Sequence, residues 1–158
     1  MRAVSRGDLP LVLVAVVAIA VTGVLLLKGS EEEGPYDSYC SAVEEHRSEL
    51  GSALNAGKET GLLRALPAFE DLASKAPDDI RDEWRIVIDR ITELQAALDA
   101  AGVDAASYDF EKPPADMAAD DRKAIEAAAT RLGSADTATA LTGVEQQARD
   151  VCKSPLSL

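Results

Sequence analysis

The chain has 158 residues, of which 47% are hydrophobic and 28% are charged, so it is neither a disordered chain nor long enough for two well-cored domains. Aromatic residues make up only 4%, and a core must therefore be built from aliphatic side chains, which helices pack readily. The formal net charge of −12 excludes a nucleic-acid-binding protein, because an acidic surface repels phosphate backbones.

The uncharged apolar segment 9–27 predicts a single transmembrane helix. At about 1.5 Å per residue it spans about 28 Å, close to the hydrocarbon thickness of a lipid bilayer. The lipid bilayer is therefore its expected partner. Arg2 and Arg6 precede it and the acidic run 31–33 follows, so the positive-inside rule keeps residues 1–8 in the cytoplasm and exports the rest. The alternative is a signal peptide cleaved after Ala20, which would leave an apolar new N-terminus.

Residues 28–35 combine glycine, proline and charge and predict a linker. Residues 36–158 predict an all-α extracytoplasmic domain, a bundle of four or five helices, because no stretch alternates with the period of two that is typical of strands. The first helix spans 36–54, with Asp37 or Ser38 as its cap. The second spans 60–76, where Pro67 either belongs to the first turns or kinks the helix.

The third helix begins with Pro77 and ends at Gly102. Its apolar residues follow heptad spacing, at Ile80, Trp84, Val87, Ile91, Leu94 and Leu98. The spacing indicates either the central helix of a bundle or a coiled-coil seam for a partner, and its short length favours the bundle.

The connection 103–115 carries the candidate partner-binding residues Tyr108, Phe110, Pro113 and Pro114. The alternative is that its aromatic side chains pack back onto the bundle.

A fourth helix is predicted from Asp116 to Leu132, ended by Gly133. A fifth begins at Ser134 or Asp136, carries Ala138, Leu141, Val144 and Ala148 on its apolar side, and ends before Pro155.

Two cysteines, Cys40 and Cys152, lie near the two ends of the exported region. An oxidising compartment and an even count predict one structural disulfide, worth up to about 4–5 kcal/mol in the chain-entropy model. Two free buried thiols are the alternative. The bridge requires the last helix to run antiparallel to the first.

Catalytic and metal-binding patterns are sparse. His46 with Glu45 and Glu49 is the candidate metal cluster, but such charges are routine on helix surfaces, and we predict neither a metal nor a cofactor. The chain has no G-x-S-x-G, P-loop or H-E-x-x-H motif, which argues against an enzyme.

Four segments carry a resemblance: DSYCSAVEEHR at 37–47, APDDIRDEW at 76–84, the connection 101–117, and GVEQQARDVCKSPLSL at 143–158. In these the chain resembles a group of uncharacterised membrane-anchored proteins of high-GC actinobacteria. The resemblance implies an extracytoplasmic helical domain and brings no catalytic residues.

The sequence therefore predicts a non-catalytic, membrane-anchored interaction module. Its expected partner is an envelope protein, bound through the third helix or the segment 108–114. The alternative is a carrier or sensor of a small apolar ligand, which requires a pocket of about 300 Å³ or more within the bundle.

Overall fold

The computed structural model describes residues 34–157 except residue 106. The predicted cytoplasmic segment 1–8, the transmembrane helix 9–27 and most of the linker lie outside the described residues. Within the described part of the chain, no helix is both long enough and apolar enough to cross a membrane.

The described chain contains five α-helices and no strand, which confirms the all-α prediction. The helices are α1 (Asp37–Leu54), α2 (Lys58–Lys75), α3 (Arg81–Ala100), α4 (Ala119–Leu132) and α5 (Ala135–Cys152), with a 3₁₀ turn at Asp78–Ile80 before α3. Consecutive contacts of α1 with α2, α2 with α3, α3 with α5, and α5 with α1 close a ring of four helices, and α4 packs on α3.

Helix α3 is the centre of the bundle. The heptad positions of α3 and of the preceding 3₁₀ turn form one side of the core and are at most 6% exposed: Ile80, Trp84, Val87, Ile91, Leu94 and Leu98. The rings of Trp84 and Phe69 of α2 pack with their centroids 5.5 Å apart. The bundle interpretation of the heptads is therefore confirmed, and this face is occupied by the chain's own helices.

Helix boundaries depart from the prediction where prolines intervene. Pro77 precedes the 3₁₀ turn, in which the Ile80 N–H bonds to the Pro77 carbonyl at 3.2 Å, and α3 begins only at Arg81. Pro67 lies inside α2, not in its first turns, on an exposed position of a continuous helix. Asp116 does not cap α4, because a bond of 3.2 Å from the Met117 N–H to the Pro114 carbonyl holds that segment in a turn.

The predicted disulfide between Cys40 and Cys152 is confirmed. The two Cα atoms lie 5.1 Å apart and the bridge joins residues 112 positions apart in sequence. It fixes the start of α1 beside the end of α5, so these two helices run antiparallel as expected. Beyond the bridge, Arg47 donates a hydrogen bond of 2.9 Å to Ser154, and Leu156 is buried against the core.

Candidate functional site

An open groove of about 480 Å³ lies between the α1–α2 turn and the α4–α5 turn. Its walls are almost entirely aliphatic, and we call it the apolar groove. The lining residues are Leu54, Glu59, Leu62, Ala129, Leu132, Gly133, Ala138 and Leu141. Leu54, Leu62 and Leu141 are only half-buried, so their methyl groups face the open space.

The apolar groove lies at the end of the bundle opposite the disulfide. Helix α1 runs from Cys40 to Leu54 and α5 runs back from Ala138 to Cys152. At about 1.5 Å per residue, each stretch covers about 21 Å. The groove is therefore far from Pro35, where the described domain continues into the linker.

The α1–α2 turn depends on two glycines. Gly57 has a φ of +112°, a conformation that residues with a side chain rarely adopt. A Cβ on Gly61 would lie 2.9 Å from the Ala53 carbonyl oxygen and 3.0 Å from the Leu54 Cα, so only glycine lets the two backbones come this close. This close approach places Leu62 beside Leu54 on one wall of the groove.

The α4–α5 turn is fixed by hydroxyl groups. The Ser134 side chain accepts a hydrogen bond from the Thr137 N–H and caps α5. The Thr137 hydroxyl is fully buried and donates to the Arg131 carbonyl oxygen at 3.1 Å. The turn thereby holds Leu132 and Ala138 on the opposite wall.

An ion pair ties the end of α4 to α3. Arg131 Nη2 lies 2.6 Å from Glu93 Oε1, and this hydrogen bond is the main reason that the pKa of Glu93 is lowered and that of Arg131 is raised. Both side chains are more than a third exposed, so the pair orients the groove wall more than it stabilises the fold.

The candidate residues of the connection lie elsewhere, and none of them lines the apolar groove. Tyr108 is 9% exposed and packs edge-on against half-buried Phe110, with ring centroids 4.8 Å apart. Burial raises the pKa of Tyr108. Pro113 is half-buried, while exposed Pro114 borders a separate depression of about 500 Å³ that also includes Asp116.

His46 joins α1 to α2 through carboxylates. Its Nε2 lies 3.0 Å from Asp71 Oδ2 and its Nδ1 lies 3.3 Å from Glu49 Oε2. Burial lowers the pKa of His46, but the hydrogen bonds with Asp71 and Glu49 together raise it by more, so the pKa lies above its ordinary value. Among the described residues, no group of three His, Cys, Asp or Glu side chains is placed to hold a metal ion.

Comparisons with protein-family models, with curated proteins and with solved structures find no match to this chain. The site is therefore argued from its geometry alone. Helical periodicity alone predicts that the groove leucines lie on the apolar faces of their helices, and it does not predict a groove. A usable signal was the adjacent pair Leu62 and Leu63, because one face of α2 cannot bury both side chains against the same neighbour.

Proposed function

We propose that this chain is a non-catalytic binding module that is anchored in a membrane and binds an envelope protein through the apolar groove. The groove carries the proposal, since aliphatic side chains of four helices line this one concavity. Among the described residues, Tyr36, which lies outside the groove, is the one large hydrophobic side chain that is exposed, at 36%, whereas the groove leucines Leu54, Leu62 and Leu141 are half-buried.

The proposed location rests on the sequence. Segment 9–27 would anchor the chain, residues 1–8 would remain in the cytoplasm, and the helical domain would lie outside, as in the actinobacterial proteins that the chain resembles. An extracytoplasmic location also accounts for a disulfide, which persists in oxidising compartments.

Thiol labelling tests the location. Intact cells are treated with a membrane-impermeant maleimide, with and without prior reduction. We expect Cys40 and Cys152 to react only after reduction, because both are bridged and outside. Labelling that requires cell lysis but no reductant would reverse the topology and remove the proposed envelope function with it.

Site-specific photo-crosslinking tests the groove. A photoreactive amino acid replaces Ala138, an exposed residue of the groove wall, or Ala124, an alanine of α4 that is also exposed but does not line the groove. We expect a discrete protein adduct from position 138 and none from position 124, and we expect Leu62→Ser to abolish the adduct. Equal adducts from both positions, or none from 138, contradict a partner in the groove.

A small apolar ligand is the second candidate, favoured by the groove volume of about 480 Å³, which lies within the usual range for ligand pockets. If the groove binds small apolar ligands, the neutral dye Nile red is expected to bind there with enhanced fluorescence, and Leu62→Ser is expected to reduce that enhancement. A protein partner is favoured over this candidate because the groove is open along one side, whereas ligand pockets bury most of their ligand.

A further inference from the structure

Glu59 is the one charged residue among the described residues that line the apolar groove. It is half-buried in the first turn of α2, and its carboxylate forms no hydrogen bond or ion pair with any described residue. Two other half-buried carboxylates are paired, Glu93 with Arg131 and Asp71 with His46, whereas half-buried Glu83 and Asp121 have no ion pair among the described residues but do not line the apolar groove. Glu59 thus combines partial burial, an apolar neighbourhood and a missing counter-charge.

We infer that the groove recognises a cationic amphipathic segment of a partner protein, with aliphatic side chains against the groove leucines and a lysine or arginine against Glu59. This inference rests on the proposed function and names the chemistry of its partner. A partner that covers the groove removes water from the Glu59 carboxylate, and this desolvation is unfavourable unless a positive charge replaces the water.

The charge of the chain supports the same choice. The formal net charge is −12, and only one of the 28 acidic residues, against three of the 16 basic residues, precedes position 30. The domain therefore attracts cationic segments over a distance and repels anionic lipid headgroups. The partner segment is expected to be an amphipathic helix. Its aliphatic anchors at positions i, i+3 and i+4 can insert into a short open groove, which a flat partner surface cannot do.

The test uses the full-length protein in nanodiscs of zwitterionic lipid and two fluorescently labelled synthetic helical peptides. Both peptides present leucines at i, i+3, i+4 and i+7, and their polar faces carry lysines in one and glutamates in the other. Fluorescence anisotropy measures binding, and empty nanodiscs give the contribution of the lipid. We expect the lysine peptide to bind at least about tenfold more tightly than the glutamate peptide.

Two pairs of variants locate the contact. Glu59→Gln is matched by Glu70→Gln, an exposed residue of the same helix, so that both variants change the net charge equally. Leu62→Ser is matched by Leu63→Ser, since Leu63 is also half-buried but borders a different depression. We expect Glu59→Gln to lower the affinity for the lysine peptide by about threefold to tenfold. We expect Glu70→Gln to change that affinity by less than about twofold.

The outcomes separate this inference from the proposed function. If both peptides bind equally and Leu62→Ser weakens both, the groove is a binding site but the cationic partner is overturned. An unchanged affinity in Glu59→Gln overturns it as well. If neither peptide binds, or if Leu63→Ser weakens binding as much as Leu62→Ser, both the inference and the groove as a protein-binding site fall.

Discussion

The Tyr39 hydroxyl is fully buried on α1 and has no hydrogen-bond partner. Burial raises the pKa of this hydroxyl, and the Trp84 indole N–H lowers it by less without reaching hydrogen-bond geometry. A buried unsatisfied hydroxyl costs about 1–3 kcal/mol. We therefore expect Tyr39→Phe to raise the free energy of unfolding by about 0.5–1 kcal/mol, measured by urea titration of the full chain in detergent.

The fluorescence of Trp84, the single tryptophan of the chain, reports this transition because its side chain is 1% exposed in the folded state. Tyr39→Ala serves as the comparison, since it removes the ring as well and creates a cavity that costs about 3–5 kcal/mol. A lower stability of Tyr39→Phe would mean that an internal water molecule or the indole satisfies the hydroxyl in solution.

His46 makes the stability depend on pH. Because the carboxylates of Asp71 and Glu49 raise its pKa above the ordinary value, the charged imidazole stabilises the fold fully below about pH 6.5. This stabilisation is lost as the pH rises through the folded-state pKa. We expect the difference in urea midpoint between the native chain and His46→Gln to be larger at about pH 5.5 than at about pH 8.5.

The partner carboxylate provides the control for that measurement. The pKa of Asp71 is lowered by hydrogen bonds with Lys75 first and His46 second, so Asp71 remains charged across this pH range and does not itself create the slope. Asp71→Asn should therefore reduce the pH dependence without adding a new titration. An equal midpoint difference at both pH values would show that His46 does not interact with its carboxylates in the folded protein.

Two glycines within helices, Gly61 and Gly143, lie close to a neighbouring part of the chain, but only Gly61 lies against backbone atoms. Gly61→Ala places a Cβ against the backbone of Ala53 and Leu54, at 2.9 Å and 3.0 Å, and a backbone contact cannot move aside. In Gly143→Ala the nearest atom is the Glu83 Cγ at 3.3 Å, a methylene group of an unbranched side chain that can shift by a few tenths of an ångström. We expect Gly61→Ala to destabilise the fold by about 1–3 kcal/mol despite its better helix propensity.

For Gly143→Ala we expect the free energy of unfolding to rise by up to about 1 kcal/mol, the usual helix-propensity gain. Thermal unfolding followed by circular dichroism compares the two variants under one condition. If both variants gain stability, the α1–α2 contact is looser than the structure describes, and the groove wall that it positions is looser too.

The helices were predictable to different degrees, for reasons of side-chain chemistry. Large side chains at heptad spacing define one face of α3, and all of them are buried. Helix α5 is rich in alanine and threonine, so several faces look alike in sequence. The predicted face held Ala138 and Leu141 with Val144 and Ala148, whereas the buried face holds Thr137 and Ala140 with the same two residues. The sequence does not predict that Thr137 is buried, because the hydrogen-bond acceptor of its hydroxyl, the Arg131 carbonyl, is supplied by the α4–α5 turn.

The bundle was easier to predict than its groove. Helix count and the antiparallel pairing of α1 with α5 follow from local periodicity and from one constraint, the cysteine pair. The groove arises where two turns distant in sequence meet, at Leu54 and Leu62 on one side and Leu132 and Ala138 on the other. No local pattern encodes that meeting, because each leucine is also a reasonable core residue.

The disulfide and the groove lie at opposite ends of the bundle, and this separation makes their effects distinguishable. The bridge closes a loop between residues 112 positions apart, so its loss in Cys40→Ser/Cys152→Ser should lower the free energy of unfolding by up to about 4–5 kcal/mol. Most of that effect acts on the unfolded chain, and Arg47 with Ser154 still joins α1 to the C-terminal segment.

The folded double variant should therefore keep its groove. We expect the circular dichroism spectrum at about 20 °C and the affinity for the lysine peptide, within about twofold, to match those of the native chain, while the urea midpoint falls. Leu62→Ser is the reciprocal control. It should lower the affinity for the lysine peptide and leave the contribution of the disulfide to the free energy of unfolding unchanged. If removal of the disulfide lowers the affinity for the lysine peptide in proportion to the loss of stability, the two ends of the bundle are coupled through α1 and α5. The groove would then depend on the redox state of a bond about 21 Å away.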